Sequence, residues 1–162
     1  MSHLAGRIAV LCLLTFLLPY ARAADGYQEA TWGMTVDQVK QAVPGLGEKP
    51  CVSFSTDLAY CSSVIVLGKT GEASYQFDDG GNLVRVRLIF DPATAEFTKE
   101  VMRTMLVKYG ACETENHFQR VTFFWLTEGV RVDFDVAGGQ PTLVVTYDGA
   151  ASASFHAAES AL

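Results

Sequence analysis

Between residues 73 and 147 the chain alternates. Ala73, Tyr75 and Phe77 recur at every second position, and beyond Asp79-Gly80-Gly81-Asn82 so do Val84, Val86 and Leu88. Successive strand residues point to opposite faces, so these six share one side while Ser74, Gln76, Arg85 and Arg87 share the other. That pattern predicts a half-buried antiparallel pair. Gly80-Gly81 suits a tight turn at positive φ; with Asp79 opposite Asn82, Phe77 faces Val84 and Tyr75 faces Val86. A later hairpin turning at Glu128-Gly129 pairs Trp125 with Val132 and Phe123 with Phe134, and a last strand covers 142–147. Upstream, a turn at Ser55-Thr56-Asp57 pairs Phe54 with Leu58 and Val52 with Tyr60, and its second strand extends to Leu67.

Two segments follow the helical period instead. Thr35 caps the first and Gln38 completes a capping box; Val36, Val39, Ala42 and Val43 form its apolar stripe. Pro44 and Gly45 stop it after about two turns. In the second, Asp91 is the expected cap and Pro92 the first helical residue. Phe97, Val101, Met102, Met105, Leu106 and Tyr109 line one side, with Glu96, Lys99, Glu100 and Arg103 opposite, until Gly110 ends it. The order α-β-β-β-β-α-β-β-β predicts an α+β fold: an antiparallel sheet of about seven strands with both helices on one face.

The amino end follows neither period. Arg7 precedes an apolar run over 8–18, Pro19 breaks it, and Ala21-Arg22-Ala23 is a small-residue cleavage site. This pattern predicts a signal peptide over 1–23. The run is too short for a membrane span, and no integral membrane segment is expected after cleavage. A single domain over 24–149 follows, then an Ala/Ser-rich tail over 150–162. Losing Arg7 and Arg22 with the leader changes the formal charge from −6 to −8. Such an acidic domain is a poor partner for nucleic acid or anionic lipid. The expected location is periplasmic or secreted.

Export also decides the cysteines. Cys12 leaves with the leader, and with Leu11 rather than a small residue before it, it does not fit a lipidation site. In an oxidising compartment the remaining three imply one bridge and one thiol. The hairpin register sets Cys51 opposite Cys61, within disulfide reach. A loop this short contributes about 2–3 kcal/mol. Cys112 is the competing partner.

The candidate chemistry is sparse. Metal-ligand, P-loop and nucleophile-elbow motifs are absent from the sequence, so no cofactor is expected. Cys112 and His117 could form an activated thiol, but a bystander thiol beside a surface histidine is the better account. Asp133 and Asp135 share a strand face; they could bind a cation or act as acid and base, or simply balance charge on a solvated face. Phe124 and Leu126 say more. Alternation sends Phe123 and Trp125 inward and leaves these two on the polar face, either covered or offered to a partner. Trp32, ahead of the first helix, is either a binding anchor or a residue packed under its first turn.

Trp32-Gly33-Met34-Thr35-Val36-Asp37-Gln38-Val39 resembles the opening of small exported modules. In these, Gly-Met-Thr, two variable residues and Gln-Val begin the first helix. They include the β-lactamase inhibitor protein repeats and the small lipoprotein of the outer-membrane β-barrel assembly machinery. A cysteine pair soon after that helix, here Cys51 and Cys61, is similar to the inhibitor repeat in particular. The likeness covers about 30 residues, and the second half departs from it. It implies an α+β module that binds other proteins without catalysis, and carries over no target.

The expected function is therefore a non-enzymatic exported domain that binds another exported or envelope protein through Phe124, Leu126 and their neighbours, with Trp32 as a further contact. The competing expectation is a small-ligand carrier or an enzyme using Asp133 and Asp135. Export is directly testable: amino-terminal sequencing of exported protein should begin at Ala24. An intact Met1, or a lipid on Cys12, contradicts it.

Overall fold

The computed structural model describes residues 26–47, 51, 59–126, 129–135 and 140–149. The leader, the tail over 150–162 and the expected turn at 55–57 lie outside the described residues. The elements are β1 (Gly26–Tyr27), β2 (Ala30–Thr31), α1 (Val36–Ala42), β3 (Ala59–Val66), β4 (Lys69–Phe77), β5 (Leu83–Phe90), α2 (Ala95–Tyr109), β6 (Glu113–His117), β7 (Arg120–Trp125), β8 (Val130–Asp135) and β9 (Thr142–Asp148). β1 and β2 pair with each other. The other seven strands form one antiparallel sheet in the order β3-β4-β5-β9-β8-β7-β6.

One face of this sheet is apolar. Tyr75, Val86, Leu88, Phe90, Val132, Leu143 and Val145 meet Val39 of α1 and Val101 and Met105 of α2 in a single buried cluster. Both helices therefore cover the same face, and the fold is α+β as the sequence predicts. Phe90 reaches α2 by lying across Gly71, where an added Cβ would stand 2.6 Å from the ring. Its ring meets that of Phe97 edge-on, 4.9 Å between centroids. Trp125 is also buried, and its indole N–H donates to the Gly110 carbonyl at 2.9 Å, satisfying a carbonyl at the end of α2.

The helix starts are set by hydroxyl groups. At α1 the capping box forms as expected: the Thr35 N–H donates to Gln38 Oε1 at 2.8 Å, and the Gln38 N–H donates to Thr35 Oγ1. At α2 the cap is Thr94, which accepts from the Phe97 N–H at 3.2 Å, and not Asp91. Ala93 is buried with its N–H on the Pro141 carbonyl, so the chain stays tied to the β9 approach until Thr94 turns it into the helix. Leu106, expected on the buried stripe, is exposed.

Two registers and the division of the strands differ in detail. In the β4–β5 hairpin Asp78, not Asp79, closes the turn: its carboxylate accepts from the Asn82 N–H at 2.8 Å, and these contacts hold its pKa below the usual carboxylate range. A register shift then sets Phe77 against Leu83. Leu83 takes the core place expected for Val84, because its backbone bonds both Met34 and Gly33. In the β7–β8 hairpin Trp125 pairs with Val130 and Phe123 with Val132. That slip is two residues, so every side chain keeps its expected face. Finally, the seven strands divide three and four about α2, because 113–117 is a strand.

Cys51 and Cys61 are disulfide-linked, with Cα atoms 5.3 Å apart, and Cys112 is unbridged. Tyr27 lies over Tyr147, 5.3 Å between ring centroids. Burial, with a smaller push from the Tyr75 charge, raises the Tyr27 pKa to about 12. Burial raises Tyr75 and Tyr147 as well. Unfolded phenols ionise near pH 10 while these stay neutral in the fold, so their contribution is complete below about pH 10 and is lost as pH rises toward and past 12. Ionisation of these three tyrosines should accompany alkaline unfolding, followed by tyrosinate absorbance and circular dichroism together. Tyr27→Phe should move that unfolding to higher pH. Ionisation of every tyrosine near pH 10 with the fold intact would refute this packing.

Candidate functional site

The second face of the sheet carries no described helix. A trough of about 1100 Å³ runs across it from β4 through β5, β9 and β8 to β7. Five strands at about 4.8 Å spacing make it roughly 19 Å wide. Alternation puts its lining there. Inward residues of β5 and β9 fill the core, so Arg85, Arg87 and Ile89 must face out beside Asp148, Thr146 and Val144, their register partners. On β8 and β7 the same rule turns out Arg131, Asp133 and Asp135 opposite Phe124, Thr122 and Arg120.

Three arginine–aspartate pairs line this trough. Arg85 donates to Asp148 Oδ2 through Nε at 2.9 Å and Nη2 at 2.6 Å. Arg120 holds Asp135 in the same way, at 3.1 and 2.9 Å. That carboxylate, by hydrogen bond and charge, raises the Arg120 pKa. Arg131 grips both oxygens of Asp133 at 2.8 Å, and the buried Thr122 hydroxyl donates to Asp133 Oδ1 at 2.7 Å. Arg87 is engaged as well. Four of the five described arginines line the trough, and no described lysine does. A guanidinium is planar and always charged, so a carboxylate fixes it in one orientation while its remaining N–H groups stay available.

Between the ion pairs lies apolar surface. Phe124 is half-buried beside Arg131, and Leu126 just beyond β7 is 55% exposed. Ile89 and Val144, paired with each other, add to it mid-sheet. Sequence reasoning placed Phe124 and Leu126 on this face but missed Ile89, since the unbroken apolar run Leu88-Ile89-Phe90 conceals the alternation.

Trp32 is elsewhere. It packs against the core cluster on the helix side, so close to Gly149 that an added Cβ there would stand 2.6 Å from the indole. The structure thus joins Phe124 to Leu126 but not to Trp32. Asp133 and Asp135 do share the face, each occupied by an arginine. Cys112 and His117 sit at opposite ends of β6, about 16 Å apart at strand rise, with Cys112 packed toward the core and His117 near Glu115. They form no thiol–imidazole pair. Among the described residues no group of three or more His, Cys, Asp or Glu could hold a metal ion, and no helix is long and apolar enough to cross a membrane.

No family model, curated protein or solved structure matches the chain.

The Asp133 cluster provides a stability test. Asp133→Ala leaves the Thr122 hydroxyl without its acceptor and releases both arms of Arg131, which should cost about 1–3 kcal/mol. Arg103→Ala breaks only the exposed pair with Glu100 on α2 and should cost under about 0.5 kcal/mol. Urea denaturation of both variants measures the difference; equal effects would mean that the outer-face pairs act as ordinary surface contacts.

Proposed function

We propose that this chain is an exported, non-enzymatic domain whose outer sheet face binds another exported or envelope protein. The observation that carries the reading is the open face itself. It is broad, free of described helices and rich in fixed arginines, and it carries a half-buried phenylalanine at its β7 end. Protein interfaces are enriched in arginine and often anchored by an aromatic side chain, and this trough offers four arginines and Phe124. A small-molecule site is typically about 300–1000 Å³ and mostly enclosed; a trough five strands wide suits a protein surface better. Ion pairs already formed within the face also lower the cost of ordering arginine side chains on binding.

Export is supported by the leader pattern and by the disulfide, which persists in oxidising compartments. Within this class, an inhibitor of an exported enzyme is the sharper version and an envelope-assembly accessory the milder one. The enzyme and carrier readings gain little from Asp133 and Asp135, whose oxygens are taken up by Arg131, Thr122 and Arg120.

Two substitutions separate the binding face from the core. Trp125→Ala opens a cavity and loses an indole hydrogen bond, and should cost roughly 3–5 kcal/mol. Phe124→Ser should cost well under that and should reduce capture of the envelope partner by an amount equivalent to about 2 kcal/mol. Denaturation paired with affinity capture reads both. If Phe124→Ser unfolds the domain as severely as Trp125→Ala, the face is not a free surface; if it leaves stability and capture unchanged, the contact lies elsewhere.

A further inference from the structure

The two edges of the main sheet are finished differently. On β3 the Gly47 N–H bonds the Cys61 carbonyl at 2.9 Å, and the Cys51–Cys61 bridge fastens further chain to the same strand. On β6 all five residues are exposed, and no described backbone group bonds its outer edge. Such an edge presents a row of N–H and C=O groups that templates another strand unless the sequence blocks it. Several usual blocks are missing. β6 contains no proline and no lysine, and its pairing with β7 runs through five residue pairs without a register shift.

What β6 does carry is charge of one sign. Glu113 and Glu115 stand two apart on the outer face, on the side of Phe124 and Thr122, their register partners. Among the described residues Glu113 makes no ion pair, while Glu115 meets only the exposed His117, at 3.4 Å. Beyond the strand, Phe118 at the β6–β7 turn is 99% exposed. We infer that β6 is a strand-addition edge that takes an extended segment of another protein bearing lysine or arginine at alternate positions. Main-chain hydrogen bonds to β6 supply the attachment, and the two carboxylates select the side chains directly opposite them. A second copy of this chain is disfavoured. Two-fold antiparallel pairing centred on Glu115 would oppose the two Glu115 carboxylates, and like charges at opposed positions destabilise. The net charge of −8 after loss of the leader attracts a basic partner over a longer range. This edge is a backbone feature, separate from the trough, and stands or falls without it.

The test uses the exported protein and three capped peptides. One alternates Lys with Thr, one alternates Glu with Thr, and one is the Lys/Thr peptide with alternate backbone nitrogens methylated. Two-dimensional amide NMR and hydrogen exchange read the outcome at each residue. The Lys/Thr peptide should shift the β6 amides and slow exchange at alternate positions of that strand, while the other two peptides should not. Glu113→Lys with Glu115→Lys should weaken the Lys/Thr peptide about tenfold and confer binding of the Glu/Thr peptide. Both positions are exposed, and an unchanged spectrum elsewhere confirms that the fold is retained. Equal shifts from the methylated peptide would reduce the effect to charge alone. Shifts confined to the trough, no shifts on β6 at millimolar peptide, or self-association through β6 would each overturn the inference.

Discussion

The pairing of β5 with β9 is the contact on which the rest of this molecule depends. β3, β4 and β5 form one meander and β6 to β9 another, and only this pairing makes them a single sheet. Across it Val86 meets Tyr147, Leu88 meets Val145 and Phe90 meets Leu143, which puts the centre of the core on the seam. The other face of the seam carries Arg85 and Asp148, 63 residues apart in sequence and joined by two short hydrogen bonds. α2 draws on both meanders: Phe97 meets Phe90 of β5, and Gly110 at its end takes the indole N–H of Trp125 on β7. The trough has no floor without the seam, because β5 and β9 supply its middle. Closing so distant a pair carries a large loop-entropy cost, which sets the long α2 connection against the speed of folding.

What the sequence discloses about the fold tracks how strongly each element is amphipathic. The alternating runs of β7 and β8 assign faces correctly although the register slips, because a slip of two preserves parity, whereas the one-residue bulge at Phe77 exchanges Val84 for Leu83 in the core. β6 leaves no such trace. Glu-Thr-Glu-Asn-His has no apolar period, and only its hydrogen bonds to β7 make it a strand. The start of α2 is obscure for a different reason. Asp-Pro at 91–92 fits a helix opening locally, but Ala93 is held by Pro141, a partner that no local pattern can announce.

The outer face was legible in kind and not in arrangement. Composition counts the arginines but does not say that four of them converge on one trough while the described lysines lie elsewhere. Phe124 stands out because a large apolar residue on a polar face breaks the pattern. Arg85 and Asp148 do not, since each is ordinary until β9 is placed beside β5. Trp32, open to both readings in the sequence, is packed against the core cluster. Its indole is occupied by the bare backbone of Gly149.

That same contact brings the two ends of the domain together. Tyr27 lies over Tyr147, and Trp32 over Gly149, so the first and last described segments leave the fold at one pole. Segments this close tolerate being joined, and a circularly permuted form linking Gly149 to Gly26 and reopened at the exposed Phe118-Gln119 turn would keep all seven strands of the sheet. The order in which the strands are written along the gene is thus separable from the sheet they build.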